Sequence, residues 1–172
     1  MGVDALATRL GIIKAEARSL LERHRETYRT FWRWSDRIVE HASITGSLQT
    51  VFGWPLKIGG EANPRSLRNF PMQANGAEMM RIAAIAATEA GIEVCAPVHD
   101  AFLIMAPLER LEDDVAAMRC HMGDASKAVL DGFEVRTDAQ LFCHPDRYID
   151  EGGSEMWETV ARILADLNGN TD

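Results

Sequence analysis

Between Lys14 and Ala42 the positions Ala17, Leu20, Leu21, His24, Tyr28, Phe31, Ile38 and Ala42 recur at three- and four-residue spacing. That period predicts one long amphipathic helix, whose opposite face carries Arg18, Arg25, Arg29 and Arg33. Gly46 ends it, and the stretch Ser47 to Phe52, Gly53-Trp54-Pro55, then Leu56 to Ile58 predicts a short hairpin or turn. A second helix is expected from about Arg65 to Ala90, kinked or divided at Pro71 and capped by Gly91. Ile92 to Ala96 and Phe102 to Met105 are apolar runs of strand length around Pro97-Val98-His99-Asp100-Ala101, which predicts a buried hairpin with a polar tip.

Leu108 to Leu130 reads as a further helix, opened by Glu109, Glu112, Asp113 and Asp114 in keeping with its dipole and closed by Asp131-Gly132. Phe133 to Phe142 alternates loosely as a strand, and Glu155 to Leu167 makes a terminal helix before a polar tail. The order α, hairpin, α, ββ, α, β, α is an α+β pattern, an antiparallel sheet covered by helices mainly on one face. Three segments follow from it: 1–60, helical with a turn; 61–150, built around the hairpin; and 151–172, terminal helix and tail.

At 172 residues and 47% hydrophobic, the chain is long enough to bury a core. Its net charge of -8 argues against wholesale polyanion binding. The average hides a split, because residues 1–70 carry 11 Lys/Arg against 7 Asp/Glu, whereas residues 71–172 carry 7 against 19. A polyanion would therefore prefer the first part. Cys95, Cys120 and Cys143 lack CxxC spacing, so free thiols are expected rather than a disulfide framework or a zinc ribbon. Apolar stretches fall short of the ~20 residues of a membrane helix and no leader is evident, so a soluble, cytoplasmic protein without a membrane partner is expected.

His99-Asp100 is the first chemical candidate. A carboxylate flanked by apolar strands needs a cation or hydrogen bonds in compensation. Asp either supports a tight turn by bonding backbone N–H groups or holds Mg²⁺, which takes one or two carboxylates and completes its shell with water and phosphate oxygens. The second candidate is the row Arg65, Asn69 and Gln73, which share one face of an unbroken helix. Such donors suit either solvent or the minor-groove edge of a duplex, whose acceptors hardly vary between base pairs. Tyr28 to Arg37 is rich in Trp and Arg, as a surface for single strands would be; the expectation is instead that Phe31 and one tryptophan are core. Ala74, Ala77, Ala83, Ala84, Ala86 and Ala87 are expected at close-packed positions.

Three stretches, in this order and spacing, resemble the C-terminal part of family A DNA polymerases, the bacterial DNA polymerase I type. Leu6 to Ile12 with the long helix and then Gly46 to Gly53 looks like the fingers segment and the turn after it. Arg65 to Met80, with Asn69-Phe70-Pro71-Met72-Gln73 at its centre, is similar to the family's Asn-x-Pro-x-Gln helix. Val98-His99-Asp100 looks like palm motif C, although Ala101 stands where family members usually carry Glu.

The resemblance implies a truncated polymerase palm: an antiparallel palm-type sheet with helices packed on it, plus a fingers-derived helix. In it Asp100 is catalytic and a metal ligand, His99 lies by the primer terminus as a catalytic and DNA-binding residue, and Arg65, Asn69 and Gln73 line the minor groove of a primer-template. The implied chemistry is two-metal nucleotidyl transfer from a dNTP with Mg²⁺. Motif A, with the second catalytic Asp, and the triphosphate-gripping fingers helix are expected upstream of Met1, so one metal ligand stands in this chain. At an effective dielectric of ~20, one charge at ~4 Å is worth roughly 4 kcal/mol, so the isolated chain is expected to be inactive. The alternative is a non-catalytic DNA-binding module, or the complementing half of a split polymerase with a separately encoded N-terminal half. A phosphohydrolase using His99-Asp100 is a third reading that fits an apolar hairpin poorly.

Overall fold

The computed structural model describes residues 2–60, 62–146, 148 and 152–169. Three helices lead: α1 (Val3–Leu10), α2 (Lys14–Thr27) and α3 (Arg29–Thr45). The single long helix expected over this region is thus two, broken at Tyr28, whose φ of -104° and ψ of 39° lie outside the helical basin. No glycine or proline announces the break. Its local sign is a run of weak helix formers, Thr27, Tyr28, Thr30, Phe31 and Trp32. The periodic apolar face is also less buried than its spacing implies: Ala17 and Ala42 are enclosed, while Leu20, Tyr28 and Phe31 are exposed.

β1 (Ser47–Gln49) and β2 (Pro55–Lys57) form the expected short antiparallel hairpin, pairing Leu48 with Leu56. Leu48 packs with Ala42 of α3 and with Leu67 of α4 (Pro64–Glu89), making the first of two small cores. α4 starts firmly. Asn63 caps it by accepting a hydrogen bond from the Arg65 N–H at 2.9 Å, and Pro64 occupies the first turn, where its missing N–H costs nothing. Pro71 does not divide the helix.

The end of α4 directs everything that follows. Gly91 adopts a left-handed φ of 82°, its N–H reaching the Thr88 carbonyl while the Ile92 N–H reaches that of Ala87, both at 3.0 Å. This paired closure reverses the chain and brings Ile92 onto Ala87. β3 (Glu93–Val98) and β4 (Ala101–Met105) then pair antiparallel, with an irregularity between Val94 and Ala96. Pro97, which lacks an N–H, is tolerable in so short and bulged a ribbon. Val94, Phe102 and Ile104 face the second core, where Ala83 and Ala87 of α4 meet Met118 and Ala125 of α5 (Leu111–Val129). Of the six alanines expected in close packing, Ala83 and Ala87 are buried, while Ala77 is exposed.

Two expectations are corrected here. The β3–β4 hairpin is not buried on both faces, since Val98, Leu103 and Met105 are exposed on the side away from the helices. Residues 133–142 form no strand. Their backbone groups turn to α5 side chains instead: the Val135 N–H donates to Ser126 Oγ at 2.9 Å, and Arg119 donates to the Thr137 carbonyl at 2.8 Å. A loose alternation becomes a strand only beside a ladder partner, and none flanks this segment among the described residues. α6 (Ser154–Gly169) forms as expected, its apolar side chains Met156, Trp157 and Ile163 exposed. No helix among the described residues is long and apolar enough to cross a membrane.

Candidate nucleic-acid interface

His99 and Asp100 are the two residues between the paired Val98 and Ala101, at the tip of the β3–β4 hairpin. Both are exposed. His99 has a φ of 54°, the left-handed region that a non-glycine residue seldom adopts. Asp100 therefore carries no burial cost that a cation or hydrogen bond must offset, contrary to the expectation for a carboxylate between apolar strands, because solvent reaches it directly. What the fold supplies is presentation: a two-stranded ribbon, packed through one apolar face on two helices, carries His99 and Asp100 at its exposed tip.

Arg65, Asn69 and Gln73 all lie exposed on α4, at i, i+4 and i+8. Because Pro71 leaves the helix undivided, the row keeps a common face. Between these residues Leu67 and Phe70 point into the first core, which fixes the rotation of α4 and turns the row outward. Arg68, one turn along from Arg65, is held by Asp36 of α3 at 2.7 Å.

A buried polar network that sequence reading missed locks the loop after β1 to the middle of α4. Glu78 is buried, accepting from Thr50 Oγ1 at 2.8 Å and from Arg81 at 2.6 and 3.0 Å. Thr50 Oγ1 in turn accepts from the Trp54 N–H at 3.0 Å, and Asn75 Oδ1 accepts from the Val51 N–H at 3.0 Å. The hydrogen bonds from Arg81 first, and then from Thr50, hold the Glu78 carboxyl below its usual range despite its desolvation. The Glu78/Arg81 pair at i, i+3 is legible in sequence; Thr50, on another element, is not.

The described residues contain no group of three or more His, Cys, Asp or Glu able to hold a metal ion. Cys95, Cys120 and Cys143 are free and exposed. Toward Mg²⁺ the chain offers the Asp100 carboxylate, which suits an ion that takes one or two carboxylates and keeps water or phosphate oxygens elsewhere.

The family model for DNA polymerase family A matches residues 1–142. Among curated relatives, DNA polymerase I of Deinococcus radiodurans is 29% identical over 131 residues, covering 69% of this chain and 14% of that protein. The thermostable DNA polymerase I of Thermus aquaticus is 27% identical over 125 residues, covering 65% of this chain and 15% of the relative. The chain thus spans about one seventh of the length of these relatives. Among solved structures, the POL domain of Pol1 from M. smegmatis, in complex with DNA primer-template and dNTP, shares the fold with a TM-score of 0.64 at 23% identity, over 72% of this chain and 24% of that one. With the family match running unbroken through the α4 row and the hairpin turn, this chain belongs to DNA polymerase family A.

Proposed function

We propose that the chain forms part of the catalytic centre of a template-directed DNA polymerase working in cytoplasmic replication or repair. Residues 1–60 serve as its fingers-derived segment, 61–150 as the C-terminal palm with the motif C hairpin, and 151–172 as a terminal helix and tail. The observation that carries this reading is the pairing of two outward-facing features on one framework: the Arg65, Asn69, Gln73 row on α4 and the His99-Asp100 turn. The length of the strand is compatible with it. The chain reverses after α4, and a six-residue strand rising ~3.3 Å per residue covers about 20 Å, the length of roughly 13 helical residues. A strand running back along α4 for that length would bring the turn toward the middle of the helix, about 13 residues before its end.

In this reading Arg65, Asn69 and Gln73 donate hydrogen bonds to the minor-groove acceptors of the primer-template, nearly the same for every base pair, and so hold register without reading sequence. His99 orients the primer terminus. Asp100 provides one of the carboxylates for Mg²⁺, which, when bound, lowers the pKa of the primer 3'-hydroxyl and stabilises charge on the triphosphate. The remaining carboxylate comes from another part of the polymerase, in the same polypeptide or a separate one.

The second reading, a DNA-binding or complementing half, is favoured by the uncovered outer face of β3–β4, where Val98, Leu103 and Met105 await a partner. Primer extension tests both. The 172-residue chain alone is expected to show no extension, and a mixture with a polypeptide carrying the remaining family A segments is expected to restore Mg²⁺-dependent synthesis that Asp100→Ala abolishes. Robust extension by the Asp100→Ala variant in that mixture would overturn the assignment of Asp100. Failure of the mixture to extend, with primer-template binding intact, would leave the DNA-binding reading in place of the catalytic one.

A further inference from the structure

The corner where α2 meets α3 has no role in the site just described, and it is built unlike the rest of the surface. Tyr28, Phe31 and Trp34 are 55%, 42% and 38% exposed, which corrects the expectation that Phe31 lies in the core. Their rings nevertheless form a connected group. His24 sits 4.8 Å from Tyr28 and 5.9 Å from Trp32, centroid to centroid, and Phe31 lies 5.6 Å from Trp32 and 5.8 Å from Trp34. Trp32 is fixed at the centre, donating from Nε1 to His24 Nδ1 at 3.1 Å, with the Arg25 guanidinium 4.6 Å from its ring.

Charge on the two helices that carry the rings is biased. α2 and α3 carry Lys14 and six arginines, at positions 18, 23, 25, 29, 33 and 37, against Glu16, Glu22, Glu26, Asp36 and Glu40. Lys14 is paired with Asp4, and Asp36 with Arg68, which leaves six arginines facing four carboxylates. Among the described residues none of those six arginines takes part in an ion pair within 4.0 Å.

We propose that this aromatic and arginine corner is a docking surface for single-stranded nucleic acid, separate from the α4 row and the hairpin turn. Exposed rings offer faces on which bases stack regardless of sequence, and unpaired guanidiniums receive the phosphates between them. A duplex presents no unstacked base to such rings, so it is not the ligand this surface fits. The proposal stands apart from the polymerase reading, because a strand can dock here whether or not Asp100 holds a metal.

The test is fluorescence anisotropy of the full chain with end-labelled oligo-dT, oligo-rU and a blunt duplex of the same length. Both single strands are expected to bind, and a preference between them names the sugar recognised, whereas duplex binding, which the proposed α4 row accounts for, is expected to be the same for wild type and Trp34→Ala. Two or three phosphate contacts predict a log–log salt slope of about -1.4 to -2.1, at roughly -0.7 per contact. Trp34→Ala is expected to weaken single-strand binding on the order of tenfold. Trp32→Phe, which keeps a stacking ring in place, is expected to stay within about threefold, and Arg25→Gln to reduce the salt slope. Circular dichroism of each variant separates lost binding from lost folding; should Trp34→Ala unfold, Tyr28→Ala at the more exposed ring replaces it. An equal loss of duplex and single-strand affinity in Trp34→Ala, or single-strand binding unchanged in folded Trp34→Ala and Arg25→Gln variants, would overturn the proposal. So would concentration-dependent dimerisation lost in Trp34→Ala without any single-strand binding, which would make a second, acidic copy of this chain the occupant.

Discussion

Presentation of His99 and Asp100 depends on one apolar face of the β3–β4 ribbon, and Ile92 is where that dependence is measurable. Ile92 is 5% exposed and sits on Ala87 and Met118, whereas Leu103 on the opposite face is 58% exposed. Ile92→Ala removes three buried carbons; at ~0.8 kcal/mol each the transfer contribution is about 2.4 kcal/mol. Incomplete collapse of the cavity raises the expected loss toward about 3 kcal/mol. For a chain of this size each kcal/mol shifts Tm by roughly 2–4 °C, so Tm should fall by about 6–12 °C. Leu103→Ala removes the same kind of group from water-facing surface and should cost less than about 1 kcal/mol. Thermal unfolding followed by far-UV circular dichroism, repeated by urea titration, compares the two. Equal losses, or a larger one at Leu103, would show that the ribbon is not anchored as described and would refute the account of how the turn is held.

Ser126→Ala leaves the Val135 N–H without its acceptor, so a loss of about 1–2 kcal/mol is expected, with roughly tenfold faster amide exchange at Val135; unchanged exchange there contradicts the anchoring of residues 133–142. Gly123→Ala places a Cβ 2.9 Å from Glu134 Oε1, the movable end of a side chain held by Lys127. Because that exposed ion pair is worth little and alanine gains up to about 1 kcal/mol in a helix, Tm should rise by about 1–3 °C, and a fall would show that the contact cannot yield. Glu78 is held below its usual 4.5 by Arg81 and Thr50, so its ionised form favours the folded state. That contribution is complete above the unfolded value and disappears as the pH falls through the lower folded one. Glu78→Gln should therefore unfold at lower urea than wild type at neutral pH and converge with it as the pH drops from 4.5, and a gap that widens in acid would reverse the sign assigned.

Local signals wrote much of this protein into its sequence. Gly91 closes α4 because a left-handed turn is decided by a few adjacent residues, while the Asn63 cap and Pro64 open the helix one residue before the expected Arg65. The i, i+4, i+8 row needed only helix geometry, and two apolar runs around residues 97–101 were enough to mark a hairpin, which the structure tightens to a two-residue turn by pairing Pro97 with Phe102 and Val98 with Ala101. The α+β class and the family followed from order and spacing. Tertiary structure decided what local periodicity cannot carry: which face of a ribbon is covered, whether an alternating segment finds a ladder partner, and which side chains from distant elements meet. Phe133 to Phe142 alternates yet bonds to α5, and Leu103 is as apolar as Phe102 yet faces solvent. Thr50 meets Glu78 across 28 residues. Burial and hydrogen-bond satisfaction are properties of the assembled chain, so a residue's hydrophobicity states what it prefers, while its neighbours in space decide what it gets.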